Sequence, residues 1–281
     1  MSDQDINQTD DESQAPVDND EPLELDDDFE DISPDEIDEF DEIEFEDLDL
    51  IEFVDNPEPR CPVVLILDRS ASMHGEKITQ LNDGLQAFSK SVKNDELASL
   101  RIEIAIVTFG PVRVMDVREG TNEEIPADTE LAFVIAGDFV PPVLTAMGGT
   151  PMGEAVDLAL DLLRDRKDIY KANGIDYFRL WIFLITDGFP TDGTRWKDAA
   201  ERVMQEEERK GLVFFGIGVE HADMKKLAKF SNQRPPAKLQ GLAFGELFQW
   251  LSKSVTAVAQ AEPGDQIPLP PVCWGEVDTT T

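Results

Sequence analysis

Apolar residues recur in two patterns that alternate along the middle of the chain. Short, mostly apolar runs predict buried strands at 63–67, 177–186 and 212–219. A further strand is predicted at 100–109, where polar and apolar residues alternate before the run becomes apolar. Apolar spacings of three and four predict amphipathic helices at 76–92, 152–170, 196–210 and 244–258. Strands that alternate with helices predict an α/β fold, doubly wound, with a mainly parallel sheet and helices on both faces.

Weaker patterns fill the connections between these elements. Edge strands are predicted at 111–117 and 237–242, and a short helix at 222–230. Residues 118–138 are acidic and irregular, which indicates only a connection. Composition then divides the chain into an acidic, largely disordered tail with its linker at 1–59, one domain at 60–260, and a Pro-rich extension at 261–281. Trp274 is expected to hold this extension to the domain surface.

Charge sets the tail apart from the rest of the chain. The formal charge of the 281 residues is −36, and residues 1–59 hold 27 acidic side chains and no Lys or Arg. The rest has 33 acidic against 24 basic side chains, or −9, which is ordinary for a globular domain. In 25–54 large apolar residues are interleaved with Asp and Glu. This mixture is typical of a segment that folds on a partner or docks onto its own domain, and equally of a solubility tag.

Composition also disfavours several classes of function. Nucleic-acid binding through phosphate contacts is not expected, because the chain lacks a basic cluster, although a DNA-mimicking tail is an open alternative. No run of about twenty apolar residues and no basic, apolar leader is present, so we expect a cytoplasmic protein without membrane contact. Cys61 and Cys273 are expected to be free thiols in a reducing compartment. With His74 and His221 as the only histidines, a zinc site or a His-based triad is not expected.

The first predicted strand ends in a group of oxygen donors. Asp68 follows the apolar run, and Ser70 and Ser72 come next at alternate positions, before the helix that starts at Glu76. Each residue also has a purely structural interpretation, since Ser and Asp are common in turns. Together they indicate part of a site for a small divalent cation, because carboxylate and hydroxyl oxygens are the ligands that hard cations prefer.

Two other loops supply matching donors. Asp187 follows the most apolar strand, and Thr150 lies in a Gly-Gly-Thr-Pro loop before a helix. Asp187 alone suits a turn, and Thr150 alone suits a helix cap. In open α/β sheets, however, ligands bind beyond the carboxyl ends of the strands. If the strands that end in Asp68 and Asp187 are neighbours, the three loops meet and form a site for Mg²⁺ or Mn²⁺.

These motifs resemble the metal-ion-dependent adhesion site of von Willebrand factor A (VWA) domains. The resemblance is carried by Asp68-x-Ser70-x-Ser72, by Thr150 in Gly-Gly-Thr-Pro-Met-Gly and by Asp187 in Ile-Thr-Asp-Gly, and it covers 60–260. Longer stretches, including 105–110, 181–188 and 246–252, are similar to bacterial TerY-like proteins of tellurium-resistance and stress operons. The resemblance implies that Ser70, Ser72 and Thr150 are hydroxyl ligands and that Asp68 and Asp187 hold the ion directly or through water.

The chain departs from the family pattern at Arg69 and Ala71, where a small residue and Gly are common. Arg69 places a cation beside the site, where it is expected to steer an acidic partner. Three further residues are candidates for partner contacts: His74, Gly149 and Asp192.

The donor set favours binding over catalysis. Neutral hydroxyls leave a cation able to accept one more carboxylate, so a Glu or Asp of a partner protein would complete the coordination. The TerY likeness implies kinase, phosphatase or ATPase partners in a stress complex, with the chain as adaptor.

A regulatory hypothesis concerns the tail. A tail carboxylate between Asp26 and Asp55 would take the open coordination position of the ion, or the tail would mask the partner surface. The alternatives are a metal-dependent hydrolase, with only His74 and Asp192 as candidate bases, or a regulatory subunit of a kinase or phosphatase system.

Overall fold

A computed structural model describes Phe53 and residues 55–277, apart from 122 and 128. The predicted disorder and partner binding of the tail therefore fall largely outside the described residues. In the described part, the strands are β1 Cys61–Asp68, β2 Ile102–Phe109, β3 Arg113–Met115, β4 Glu124–Ile125, β5 Val134–Ile135, β6 Leu180–Thr186, β7 Leu212–Gly218, β8 Ala237–Leu239 and β9 Gly275–Val277. They form one sheet in the order β4-β3-β2-β1-β6-β7-β8-β9, with β5 beside β2.

The centre of this sheet is parallel and buried. Strands β2, β1, β6 and β7 run parallel side by side, and β8 continues the parallel set. Short antiparallel strands flank it, with β3 and β5 on β2 and β9 on β8. The uniformly apolar runs therefore became central strands because both of their faces are covered. The predicted α/β fold with a mainly parallel sheet is confirmed.

Helices cover both faces of the sheet. They are α1 Glu76–Lys93, α2 Glu96–Arg101, α3 Thr129–Ala132, α4 Met152–Ala172, α5 Arg195–Glu208, α6 Met224–Leu227 and α7 Phe244–Ala259. Alternate side chains of β1 enter two separate apolar layers, as the period of a strand requires. Val63 and Leu65 pack with α1 and α7, whereas Val64 and Ile66 pack with α4 and α5. None of the described helices is long and apolar enough to cross a membrane.

The structure differs from the sequence pattern mainly at short elements. The strand predicted from residue 100 begins only at Ile102, because α2 occupies the preceding six residues. The Asp95 carboxylate begins that helix by accepting a hydrogen bond from the Ala98 amide at 2.8 Å. The segment read as irregular contains β4, α3 and β5. The extension adds β9, and Trp274 is buried, 3% exposed, with its ring centroid 5.6 Å from that of Trp250.

A buried charged cluster lies at the amino ends of the parallel strands. Glu103, at the start of β2, is fully buried and contacts Arg166 through two hydrogen bonds of 2.9 Å. Arg60 forms an ion pair with the same carboxylate at 3.0 Å, and the Tyr170 hydroxyl donates a hydrogen bond to it. The Phe53 ring covers the cluster, with the Arg60 and Arg166 guanidinium carbons 5.3 and 5.4 Å from its centroid. Phe53 therefore packs against the domain through this cluster.

Candidate metal centre

The two strands that end in aspartate are neighbours. β1 pairs with β6 in parallel, with Leu67 opposite Ile185, so Asp68 and Asp187 leave the sheet side by side at its carboxyl edge. Both carboxylates are buried, with Asp68 0% and Asp187 4% exposed. The loop that carries Ser70 and Ser72 extends from the same edge. The two strands are therefore neighbours, as a site shared by their loops requires.

Asp68 organises the loops around it. Its Oδ1 accepts a hydrogen bond from the Ser70 amide at 2.8 Å. Its Oδ2 accepts one from the Thr186 hydroxyl at 2.7 Å and a longer one from the Asp187 amide at 3.3 Å. Burial raises the pKa of this carboxyl above its usual range, and the hydrogen bonds from Ser70 and Thr186 act in the opposite direction. Asp68 thus joins both strand ends through one side chain.

A chain of hydroxyls connects the first loop to the second carboxylate. Ser70 Oγ and Ser72 Oγ lie 2.9 Å apart, and the Ser72 hydroxyl donates a hydrogen bond to Asp187 Oδ1 at 2.6 Å. The alternate spacing of the two serines therefore does place their hydroxyls together. Ser70 is buried, whereas Ser72 is exposed at the rim.

Thr150 faces the same point from the third loop. A Cβ built on Gly188 would lie 3.1 Å from Thr150 Oγ1 and 3.7 Å from Asp68 Oδ2. The Thr150 hydroxyl and the Asp68 carboxylate thus border the same glycine. Two hydrogen bonds of 2.9 Å with Thr191, one in each direction, hold the Thr150 backbone to the loop after β6. All five predicted ligands are brought to one edge of the sheet.

Close backbone contacts fix the spacing of the loops. Gly110 has a φ of 100°, and a Cβ there would lie 2.5 Å from the Met147 carbonyl oxygen and 2.9 Å from the Ser70 amide nitrogen. A larger residue would push the loops after β1 and β2 away from the loop that carries Thr150. The Ala71 amide also donates to the Gly148 carbonyl at 3.0 Å.

Lys77 brings a positive charge into this cluster. The Lys77 ammonium donates a hydrogen bond to Asp187 Oδ2 and lies 3.2 Å from Glu220 Oε2. Its side chain is only 15% exposed. Partial burial lowers the pKa of Lys77, but the hydrogen bonds to Asp187 and Glu220 outweigh it and raise that pKa above its usual value. The oxygen cluster therefore already attracts a cation of its own chain.

The donor set fits a small divalent cation. Two carboxylates and three hydroxyls converge at the loops, and all five are the hard oxygen donors that Mg²⁺ and Mn²⁺ prefer. Within the described residues, no three His, Cys, Asp or Glu side chains gather at metal-binding distance. The hydroxyls of Ser70, Ser72 and Thr150 are therefore needed to complete a ligand set here.

The four predicted partner-binding residues have different surroundings. His74 and Gly149 are exposed beside the site. Arg69 is 6% exposed, with its guanidinium 3.5 Å from Glu124 Oε1, so its charge is engaged within the chain. Asp192 accepts hydrogen bonds from the Gly153 and Glu154 amides at 2.7 and 3.1 Å and thereby caps the start of α4. That these residues bind a partner stays a prediction.

Sequence reasoning missed the contribution of Lys77 and Thr186. Lys77 lies in the first turn of α1, where a positive charge interacts unfavourably with the helix dipole. This unfavourable position could have indicated that a carboxylate lies nearby. Thr186 directly precedes Asp187, but nothing in the sequence pairs its hydroxyl with Asp68. Phe189, 56% exposed in the loop after Asp187, adds an apolar side chain to the rim.

Replacing Lys77 by methionine is expected to tighten Mn²⁺ binding. The substitution keeps the length of the side chain but removes a cation that competes for Asp187. We expect a gain on the order of tenfold, equivalent to an ion pair of about 1.4 kcal/mol. Titration calorimetry with Mn²⁺ measures it, and Lys90→Met, on an exposed face of the same helix, is the matched control. Weaker or unchanged binding in Lys77→Met would contradict this assignment.

Comparison with known proteins identifies the family of the domain. The von Willebrand factor type A domain family matches residues 63–239. Among solved structures, proximal thread matrix protein 1 from the mussel byssus is 15% identical with a TM-score of 0.44, over 72% of this chain and 49% of that one. The pilus adhesin SpaC of Lactobacillus rhamnosus GG is 14% identical with a TM-score of 0.46, over 72% and 31%.

A third similar structure is the manganese-loaded TRAP protein of Plasmodium vivax. It is 19% identical with a TM-score of 0.39, over 63% of this chain and 64% of that one. The chain thus spans about half of the mussel protein and a third of the adhesin. No protein in a comparison with curated sequences matched this chain. The family match covers more than half of the 281 residues and includes every predicted ligand, so this chain belongs to the von Willebrand factor type A domain family, a family of metal-dependent interaction modules.

Proposed function

We propose that this chain is an adaptor that binds a partner protein through a divalent cation held by Asp68, Ser70, Ser72, Thr150 and Asp187. The observation that carries the proposal is the convergence of these five oxygen donors, four of them buried, at one edge of the sheet. When bound, Mg²⁺ or Mn²⁺ supplies a Lewis-acidic position for a Glu or Asp carboxylate of the partner. The residues of the chain hold and orient that position.

Neutral ligands favour recruitment of a further carboxylate. Only two of the five donors are charged, so they would balance the charge of a bound divalent cation without exceeding it. A third carboxylate could therefore bind the cation without strong repulsion. The Ser70 and Ser72 hydroxyls lie within one hydrogen-bonded chain, which fixes their oxygens before a ligand arrives. This preorganisation lowers the cost of binding. The exposed rim residues Met147 and Phe189 offer apolar contacts beside the carboxylate.

A binding role also accounts for the two residues that a hydrolase would need as bases. The Asp192 carboxylate is occupied with the amides at the start of α4, and His74 is exposed at the rim. A general base requires an orienting partner and a reachable substrate proton. We therefore propose an interaction module and not an enzyme.

The cellular context is proposed from the similarity to TerY-like proteins. The TerY-like stretches suggest a bacterial stress-response or tellurium-resistance-like complex in the cytoplasm, with kinase, phosphatase or ATPase components as partners. The chain would then act as a scaffold or as a regulatory subunit of that system.

Affinity capture of partners tests the proposal. The tagged full-length chain is expected to retain a specific protein from the cell extract in Mg²⁺ and to release it in EDTA. Asp68→Ala and Asp187→Ala are expected to lose the same protein, whereas Asp83→Ala, an exposed carboxylate on α1, is the matched control. Retention of the partner in EDTA and in both site variants would refute metal-dependent binding.

The tail is proposed to restrain the site, either by a carboxylate in cis or by masking. Phe53 is fixed at the amino edge of the sheet by its contacts with Arg60 and Arg166. The carboxylate that would restrain the site lies in the predicted range between Asp26 and Asp55. Deleting residues 1–52 is expected to raise partner affinity, and unchanged affinity would oppose the restraint.

A further inference from the structure

A cleft with basic side chains opens at the amino edge of the sheet, opposite the metal centre. Its volume is about 670 Å³, and it lies between the C-terminal part of α4, the starts of β6 and β7, and the C-terminal extension. Lys167, Arg179, Lys210 and Arg234 line it together with Tyr177 and Trp181. A second cleft of about 420 Å³ shares Lys167 and adds further basic side chains: Arg164, Lys171, Arg202 and Arg209.

Three of these cations form no close ion pair with the described residues of the domain. Within the described part of the chain, Lys167, Arg179 and Lys210 have no carboxylate within 4.0 Å. Arg234, in contrast, contacts the buried Glu207 at 3.1 Å. Glu262 and Asp265 are the acidic residues that line this cleft. The four basic and two acidic side chains make this cleft net positive, although residues 60–281 together carry a net charge of −9.

The tail enters the domain directly beside this cleft. The Phe53 ring meets Tyr170 edge-on, with centroids 6.2 Å apart, and Tyr170 stacks on Tyr177 at 5.5 Å. Tyr177 is itself a wall of the cleft. Two ring contacts therefore connect the point where the tail is fixed to the basic surface. Any residue shortly before Phe53 is held at high local concentration there.

We propose that residues 43–52 of this chain bind in the basic cleft, as a docked strap separate from the metal centre. The segment Ile-Glu-Phe-Glu-Asp-Leu-Asp-Leu-Ile-Glu holds five acidic and five large apolar residues. Its carboxylates match Lys167, Arg179 and Lys210, and its apolar side chains match the aromatic wall. Ten extended residues reach about 33 Å or more, which is enough to follow both clefts from Phe53. This inference is independent of the proposed partner binding, because it uses the opposite edge of the sheet.

Photo-crosslinking in the full-length chain tests the strap. Phe45→p-benzoylphenylalanine keeps an aromatic side chain in the segment, and the linked peptides are identified by mass spectrometry. We expect links within one chain to 177–181, 210–213 or 262–269. Links mainly to the loops at 68–75 or 187–192, links only between chains, or no links would each overturn the proposal.

Two charge variants separate docking from mere proximity. The triple variant Lys167→Glu, Arg179→Glu, Lys210→Glu is expected to lower the yield of these links at least fivefold. The control Lys90→Glu, Lys93→Glu, Lys253→Glu makes the same charge change on the exposed surface of α1 and α7 and should retain the yield. Neutralising the segment itself, with Glu44→Gln, Glu46→Gln, Asp47→Asn and Asp49→Asn, leaves the domain untouched and should give the same loss. An unchanged yield in both the triple variant and the neutralised segment would refute the charge match.

Discussion

Replacing Glu103 by alanine is expected to destabilise the domain by about 3–5 kcal/mol, because it leaves buried guanidinium groups without their counterion. The carboxylate is fully buried and is shared by Arg60, Arg166 and Tyr170. Denaturant unfolding followed by circular dichroism measures the loss. Glu201→Ala, an exposed carboxylate on α5, should stay within about 0.5 kcal/mol of the wild type. A loss below 1 kcal/mol in Glu103→Ala would contradict the role of the cluster.

The same contacts set a pH dependence. Burial raises the pKa of Glu103, but the charges and hydrogen bonds of Arg166, Tyr170 and Arg60 outweigh it and hold the pKa below the usual 4.5. A carboxyl whose pKa is lower in the folded than in the unfolded protein stabilises the fold at pH values above its unfolded pKa. This stabilisation is lost as the pH falls through the folded-state pKa. The difference in unfolding free energy between wild type and Glu103→Ala should therefore be constant near neutral pH and shrink well below pH 4.5.

Alanine at Asp68 is expected to weaken Mn²⁺ binding by about a hundredfold or more, equivalent to about 2.8 kcal/mol. The substitution removes a predicted ligand and also the acceptor that joins the Ser70 amide to the Thr186 hydroxyl. Titration calorimetry with Mn²⁺ measures the affinity. Asp83→Ala is the control at an exposed carboxylate and should bind like the wild type. Mn²⁺ affinity in Asp68→Ala within threefold of the wild type would place the ion elsewhere.

The central fold was predictable because its strands are buried on both faces. The uniformly apolar runs before Asp68 and Asp187 identified β1 and β6, and the helical periodicity identified the long helices. The position of the predicted ligands followed from one further rule, that ligand sites form beyond the carboxyl ends of parallel strands. Both steps rest on local patterns that the sequence displays directly.

What the sequence could not supply depends on contacts between distant residues. The strands β4 and β5 have two residues each, too few for an alternating pattern to appear. Lys77 has a partner 110 residues away, so its ion pair with Asp187 is visible only once α1 and β6 are placed. Phe53 lay inside a segment whose composition is equally typical of docking and of a solubility tag. Its burial depends on Arg60, Arg166 and Tyr170 coming together.

We propose that the last ligand of the ion belongs to another protein. Coupling between two ligands is reciprocal. If the partner coordinates the ion, Mn²⁺ raises the affinity for the partner, and the partner must raise the affinity for Mn²⁺ by the same factor. The most direct test is Mn²⁺ titration of the wild-type chain alone and in complex with the protein recovered by metal-dependent capture. We predict an affinity about tenfold higher or more in the complex, on the order of 1.4 kcal/mol of coupling. Equal Mn²⁺ affinity with and without the partner would show that the partner does not coordinate the ion.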